Sequence, residues 1–244
     1  MKRAVIIQAR MTSTRLPGKV LMDLAGRPML AQQIRRLREA RRVDDIVVST
    51  STLSTDDPVA ACAGREGIGA FRGDERDVLK RFAGAAAHVG ADLAVRVTGD
   101  CPLIDPGEVD RVIQALEDRR GEFDYASNVI ERTFPRGLDT EALYRDTLER
   151  VERLGRSPEA REHVTWFINR ERPELFARHS VKDGENNSDL RWTVDTADDL
   201  ELIRKIYQAL DLGARVAPYR EILAVVRARP ELAVANAHVI QKDR

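Results

Sequence analysis

Short apolar runs alternate with amphipathic helical stretches over the first 120 residues of the chain. The runs within 4–7, 45–50 and 92–100 are bounded by polar residues, which is typical of buried strands. Apolar residues at helical spacing lie between and after them, as in Met29, Leu30, Ile34 and Leu37. This alternation predicts an α/β fold with a doubly wound, mostly parallel sheet.

The second half of the chain has a less regular pattern. We predict strand and loop over 123–138, helices over 140–154 and 157–169, a polar turn at 182–189, a strand at 191–194, and helices that begin near 196 and 219. No low-complexity linker or internal repeat divides the sequence. We therefore expect one domain over 1–244, with an inserted segment near 122–185.

The charge is balanced overall but unevenly distributed. The chain has 40 basic and 40 acidic residues, yet residues 1–42 hold eleven Lys or Arg and two acids. Such a basic segment suits small phosphates or nucleic acid. Aromatic residues are only 5% of the chain and none lies in this cluster, which argues against a surface for single-stranded nucleic acid.

The apolar runs, the N-terminal residues and the cysteines indicate where in the cell the protein is located. No apolar run approaches the ~20 residues of a membrane span, and the N-terminus lacks the pattern of a signal peptide. Cys62 and Cys101 lie far apart without metal-ligand spacing. We expect a cytoplasmic protein with neither a membrane nor a nucleic-acid partner.

A cationic loop follows the first predicted strand. It holds Arg10, Arg15 and Lys19, with Ser13 and Gly18 between them. A strand that leads into such a loop at the head of an α/β unit favours anion binding, and three cations at this spacing suit a polyphosphate. The alternative is a solvated basic loop.

Two carboxylates end predicted strands. Asp100 ends the predicted strand at 92–100, and Asp195 directly follows the predicted strand at 191–194. Ligands of open α/β sheets bind outside the carboxyl ends of strands. Carboxylates there suit a Mg²⁺ that bridges protein and phosphate. The alternative is that Asp100 caps a turn and Asp195 caps a helix.

The run ARMTSTRLPGK at 9–19 resembles the signature of the cytidylyltransferases that make CMP-activated acidic sugars. These include the 3-deoxy-manno-octulosonate and acylneuraminate cytidylyltransferases, and the sequence most resembles the branch of spore coat polysaccharide biosynthesis protein F. GDCPLI at 99–104 and WTVDTADDL at 192–200 resemble the family's two metal-binding segments. The resemblance implies a sheet of nucleotide-diphospho-sugar transferase type, CTP as a substrate, Mg²⁺ on Asp100 and Asp195, and a possible homodimer.

The resemblance also implies a division of the chain and a set of site residues. It places nucleotide binding in about 1–121, acceptor binding and possible dimerisation in about 122–185, and a closing metal-binding part in about 186–244. Catalytic roles fall to Arg10, Lys19, Asp100 and Asp195. Nucleotide contacts fall to Gln8, Ala9, Arg10, Ser13, Arg15, Lys19, Gly73, Asp74, Asp77 and Thr98. Contacts to an acidic acceptor fall to Arg96, Asn128, Arg136, Asp139, Glu141 and His163.

The expected reaction is attack by an acceptor oxygen on the α-phosphorus of CTP, with release of pyrophosphate. The acceptor is an acidic sugar, a phosphonate or a phosphate. Arg96 and Thr98 depart from the octulosonate enzymes, which leaves the acceptor and the base contacts open. The alternatives are a glycosyltransferase on the same sheet and a non-enzymatic module that binds polyphosphate or RNA.

Two other nucleotide-binding classes are disfavoured. A P-loop requires Gly where Ser13 stands and Ser or Thr where Val20 stands. A dinucleotide fold requires Gly-x-Gly-x-x-Gly after the first strand, and that motif is absent from the sequence there.

Overall fold

The computed structural model describes residues 1–240, and in this part of the chain a seven-stranded sheet forms the centre of the fold. The strand order is β5-β4-β1-β6-β8-β7-β9. A separate hairpin pairs β2 with β3. The strands are β1 (Arg3–Gln8), β2 (Asp23–Leu24), β3 (Arg27–Pro28), β4 (Asp45–Ser51), β5 (Gly69–Gly73), β6 (Leu93–Thr98), β7 (Tyr125–Ser127), β8 (Glu141–Tyr144) and β9 (Arg178–Ser180).

Helices cover both faces of this sheet, and further helices form the part of the chain that follows β9. Short 3₁₀ turns lie at Lys19–Leu21, Ser54–Asp56 and Pro173–Leu175, and a π-helix spans Phe167–Glu171. The α-helices are α1 (Met29–Leu37), α2 (Asp57–Arg65), α3 (Val78–His88), α4 (Pro106–Glu117), α5 (Arg145–Leu154), α6 (Pro158–Glu162), α7 (Ala197–Ala209), α8 (Tyr219–Ala228) and α9 (Pro230–Ala233).

The first strand lies in the middle of the sheet. β1 pairs in parallel with β4 on one side and with β6 on the other. Val5 and Ile7 pack into one apolar cluster, and Ala4 and Ile6 pack into another on the opposite face. Burial on both faces explains why this strand reads as a continuous apolar run. The predicted α/β fold with a mostly parallel sheet is confirmed.

One predicted helix begins too early. We predicted a helix over 140–154, but Glu141–Tyr144 forms β8, which runs antiparallel to β6 and β7. Ala142 and Leu143 pack on opposite faces of the sheet, so burial on both sides overrides the local pattern. The helical periodicity starts at Arg145, where Leu148 and Val151 form the buried face of α5.

The predicted strand at 191–194 is wrong. This segment makes one isolated bridge, in which Trp192 N donates to Arg136 O at 2.6 Å. A Cβ on Gly137, whose φ is +107°, would lie 2.6 Å from Thr193 N. The turn at 135–138 therefore packs directly against 191–194. It lies on the side where a neighbouring strand would otherwise form hydrogen bonds.

The predicted helix over 157–169 is interrupted. α6 ends at Glu162, and the next helical turn is the π-helix at Phe167–Glu171. No helix within residues 1–240 is long and apolar enough to span a membrane.

Candidate active site

The cationic loop is fixed at its start by a buried carboxylate. Asp56 Oδ1 accepts a hydrogen bond from Met11 N at 2.7 Å, and its Oδ2 accepts from Ser51 Oγ at 2.5 Å. Ala9 N donates to Ser49 O at 3.1 Å. The loop is therefore held against the carboxyl end of β4 by its residues on either side of Arg10.

Lys19 ends this loop and lies buried between two acids. Its Nζ donates to Asp100 Oδ2 at 2.8 Å, to Asp195 Oδ1 at 2.9 Å and to Val194 O at 2.7 Å. Burial lowers the pKa of Lys19, but the charges of Asp100 and Asp195 outweigh it and leave that pKa above its ordinary value. The early cation and the two distant carboxylates thus meet at one point.

Asp195 is surrounded by cations. Its Oδ2 lies 2.8 Å from Arg15 Nη2 and 2.6 Å from Arg191 Nη2. Arg191 also binds Asp199, through Nε at 3.0 Å. Burial raises the pKa of Asp195, but Lys19 and Arg191 outweigh this effect and hold the pKa below its usual range. Asp195 is therefore ionised at neutral pH.

Asp100 follows β6 and joins the segment that carries Asp195. Thr98 Oγ1 donates to Asp100 Oδ1 at 2.6 Å, and Val194 N donates to Asp100 O at 2.8 Å. A Cβ on Gly99 would lie 2.9 Å from Ala9 Cβ. The ends of β1 and β6 therefore approach closely, which brings Asp100 beside the cationic loop.

The two carboxylates fit part of a Mg²⁺ site. Mg²⁺ prefers oxygen ligands and usually binds one or two carboxylates together with phosphates and water. Across residues 1–240, no group of three or more His, Cys, Asp or Glu side chains could hold a metal ion. Asp100 and Asp195 would therefore share the metal with ligands from a substrate.

A cavity of about 420 Å³ opens beside these carboxylates. Its lining includes the predicted residues Thr98, Asp100 and Asp195, and the predicted acceptor residues Arg96, Arg136, Asp139, Glu141 and His163. Further cations reach it from later elements of the fold, at Arg132, Arg170 and Arg178.

Some of these charges pair with one another. Arg96 binds Glu141 and also Gln8, whose Oε1 accepts from Nε at 2.5 Å. Arg132 binds Asp139 with two hydrogen bonds, at 2.6 and 2.8 Å. Asp139 and Glu141 therefore orient arginines in the cavity wall.

Two arginines of the cavity have no such partner. Within residues 1–240, neither Arg170 nor Arg178 has a carboxylate within ion-pair distance, and Arg178 lies on the edge strand β9. A cavity with unpaired guanidinium groups suits an anionic ligand.

The predicted nucleotide contacts at 73–77 lie in a loop before α3. Asp74 Oδ1 accepts from Asp77 N at 2.8 Å and Arg76 N at 2.7 Å, and these backbone bonds lower the pKa of Asp74. Arg10 Nη1 donates to Glu75 O at 3.3 Å. The segment that holds Gly73, Asp74 and Asp77 thus contacts the first cation of the loop at 10–19 through Glu75.

The structure separates other predicted residues from the cavity. Asn128 is buried, with its Nδ2 on Leu138 O at 2.8 Å and its Oδ1 on Thr140 N at 2.9 Å. It braces the turn before β8 and does not line the cavity. Ser13 Oγ accepts from Leu16 N at 3.4 Å, within the cationic loop.

Sequence reasoning missed Asp56, Arg191 and the cavity arginines Arg132, Arg170 and Arg178. Asp56 reads as part of a helix start, although its side chain holds the cationic loop. Arg191 lies four residues before Asp195, but outside a helix this spacing gives no signal for the pair. Arg178 follows no motif, and only the pairing of β9 with β7 brings it to the cavity.

Comparison with curated proteins identifies a relative named for polysaccharide biosynthesis and another named as a cytidylyltransferase. The spore coat polysaccharide biosynthesis protein SpsF of Bacillus subtilis is 33% identical over 235 residues, which cover 93% of this chain and 95% of the relative. The 3-deoxy-manno-octulosonate cytidylyltransferase of Geobacter sulfurreducens is 37% identical over 118 residues, which cover 48% of this chain and 46% of that enzyme.

Solved structures and a family model agree with these relatives. A cytidylyltransferase from Leptospira borgpetersenii superposes with a TM-score of 0.91 at 30% identity, over all of both chains. The model of the family described as cytidylyltransferase matches residues 4–216, which include the cationic loop, Asp100 and Asp195. The chain therefore belongs to the cytidylyltransferase family.

Proposed function

We propose that this enzyme transfers CMP from CTP to an acidic sugar, or to a related phosphonate or phosphate, and releases pyrophosphate with the help of Mg²⁺. The observation that carries the proposal is the contact of Lys19 with both Asp100 and Asp195, which line the cavity. It supports a site for phosphates and metal directly beside a space for a second substrate.

The cationic loop suggests the path of the nucleotide. Its first cation, Arg10, contacts the loop at 73–77 through Glu75, and its last, Lys19, contacts Asp100. A nucleotide along this loop would place its base and ribose near Asp74 and its phosphates near Lys19. This path supports nucleotide-binding roles for Gly73, Asp74, Asp77 and Thr98.

The proposed reaction needs no covalent intermediate on the protein. The acceptor oxygen forms a bond to the α-phosphorus, the bond from that phosphorus to the bridging oxygen breaks, and pyrophosphate leaves with the electron pair. Where the acceptor is a hydroxyl, its proton passes to solvent water. Arg10, Arg15 and Lys19 stabilise the charge that develops on the leaving group. When bound, Mg²⁺ supplies Lewis-acid polarisation and charge neutralisation. Positioning and electrostatics supply the rest of the catalysis.

The cavity supports an acidic acceptor. Arg178 and Arg170 have no carboxylate partner within residues 1–240, whereas Arg96 and Arg132 are each paired. An anionic group on the acceptor would supply the missing partner, and a guanidinium binds a carboxylate or phosphate with two parallel hydrogen bonds. Arg136 and His163 line the same wall.

A pyrophosphate-release screen tests the proposal. The purified chain is incubated with each of four nucleoside triphosphates and with a panel of acidic sugars, phosphonates and matched neutral sugars, with Mg²⁺ or with EDTA. We expect release only with CTP, an acidic acceptor and Mg²⁺, together with formation of the CMP conjugate. Transfer of a sugar from a sugar nucleotide, without pyrophosphate release from CTP, would instead identify a glycosyltransferase.

A further inference from the structure

All three N–H donors of the Lys19 ammonium bind acceptors within the site. A protonated amine has three N–H donors, and the acceptors Asp100, Asp195 and Val194 all lie within 2.9 Å of Nζ. Only 7% of Lys19 is exposed. The ammonium is therefore a bound cation held between the two carboxylates.

Three cations already contact three carboxylates around Lys19. Lys19, Arg15 and Arg191 face the acids Asp100, Asp195 and Asp199. A divalent cation added to this set would leave an excess of positive charge in a partly buried site, which is costly. A triphosphate that arrives with the metal carries negative charge and would offset the charge that the metal adds.

We propose that Lys19 is an internal counter-ion, which keeps free divalent cations off Asp100 and Asp195 until a nucleotide draws the ammonium onto its phosphates. Metal then enters this site only together with the nucleotide. The inference rests on the proposed nucleotidyl transfer at this site and adds an order of binding to it.

The contacts give the physical reason for this order. The carboxylate oxygens that a metal needs already accept hydrogen bonds from Lys19. Displacing the ammonium without a new partner would leave a buried, unpaired charge. A triphosphate offers the ammonium new oxygen partners at the same moment, so nucleotide and metal affinities become coupled.

Binding of Mn²⁺ to the full chain without nucleotide, followed by electron paramagnetic resonance, tests this role. Wild type should bind Mn²⁺ weakly. Lys19→Met removes the charge at similar length and should bind Mn²⁺ at least about tenfold more tightly, within the range usual for coupled sites. Asp195→Asn in the Lys19→Met background should abolish the gain, which assigns it to this site.

Lys19→Arg is the matched control, because it keeps a positive charge and should leave Mn²⁺ binding weak. If Lys19→Met does not fold, as judged by circular dichroism, Lys19→Gln replaces it with the same expected gain. Equal Mn²⁺ affinity in wild type and the folded neutral variant would overturn the inference. That result would leave the proposed function intact, since pyrophosphate release by wild type tests the reaction separately.

Discussion

Lys19 Nζ lies 2.9 Å from Asp195 Oδ1, although 176 positions separate the two residues in the chain. The same nitrogen lies 2.8 Å from Asp100 Oδ2. One side chain thus joins the loop after β1, the end of β6 and the segment before α7. Removing one member of a buried ion pair leaves an uncompensated charge. The contacts of Lys19 therefore contribute both to the geometry of the site and to the packing of these three segments.

Neutralising either end of the junction should impair catalysis. We expect Asp100→Asn and Lys19→Ala each to lower the turnover rate by ~10² or more, as for the loss of one preorganised electrostatic group. Pyrophosphate release under saturating substrates measures the effect. Asp198→Asn is the control, because Asp198 is exposed and contacts His238 at the surface, and it should keep normal turnover. Near-normal rates in both site variants would remove these assignments.

The sequence predicts the sheet and the location of Asp100 well, for a simple physical reason. β1 and β4 are buried on both faces and read as apolar runs, and the loop after β1 and Asp100 after β6 meet at one edge of a parallel sheet. Local patterns single out Arg10, Lys19 and Asp100 as candidates, and the family resemblance assigns their roles. Within residues 1–240, Asp195 directly follows no strand, so the prediction of its place beside Lys19 depends on the resemblance and not on this rule.

Non-local contacts account for what the sequence does not predict. Glu141–Tyr144 lies in a stretch with helical character, and only its burial between β6 and β7 makes it a strand. Likewise, Asp183 and Asn187 belong to a polar stretch predicted as a turn, but they are buried against Tyr219 of α8. Asp56 reads as a helix start, since nothing near it in sequence indicates its bond to Met11.

Removing the Asp56 carboxylate should loosen the cationic loop. Asp56→Ala leaves the Met11 N–H and the buried Ser51 hydroxyl without their acceptor, which should cost about 1–3 kcal/mol of unfolding free energy. The Michaelis constant for CTP should rise as well. Urea denaturation and steady-state kinetics measure the two effects. Asp57→Ala, whose exposed carboxylate pairs with Arg72 at the surface, should change both only slightly.

A side chain at Gly137 should disrupt the contact between two site segments. Gly137 has φ +107°, and a Cβ would lie 2.6 Å from both Thr193 N and Trp192 C. Gly137→Ala should therefore lower the unfolding free energy by about 1–3 kcal/mol or more from backbone strain alone. Gly184→Ala is the control, because open space surrounds Gly184. Equal thermal stability of the two variants would contradict the predicted strain.

Arg178 should contribute to the recognition of an acidic acceptor. Arg178→Ala removes a guanidinium that lines the cavity, and a hydrogen bond to a charged group is worth about 1.5–3 kcal/mol. We expect the Michaelis constant for the acceptor to rise about tenfold or more while that for CTP stays unchanged. Arg172→Ala is the control, since Arg172 pairs with Glu174 at the surface. A parallel rise in both Michaelis constants would point to a general loss of structure instead.

The stability that Asp183 provides should disappear in acid. Burial raises the pKa of Asp183, but hydrogen bonds from Tyr219 and Gly184 and the charge of Arg220 outweigh it, so this pKa lies below its ordinary value. A lowered pKa in the folded state means that the contribution is complete above the unfolded value of about 3.9 and is lost as pH falls through the folded value. Wild type should therefore be more stable than Asp183→Asn at neutral pH, and the difference in unfolding free energy should shrink below about pH 4. Urea denaturation of both proteins across this range measures the difference, and a gap that stays constant into strong acid would show that the Asp183 charge does not stabilise the fold.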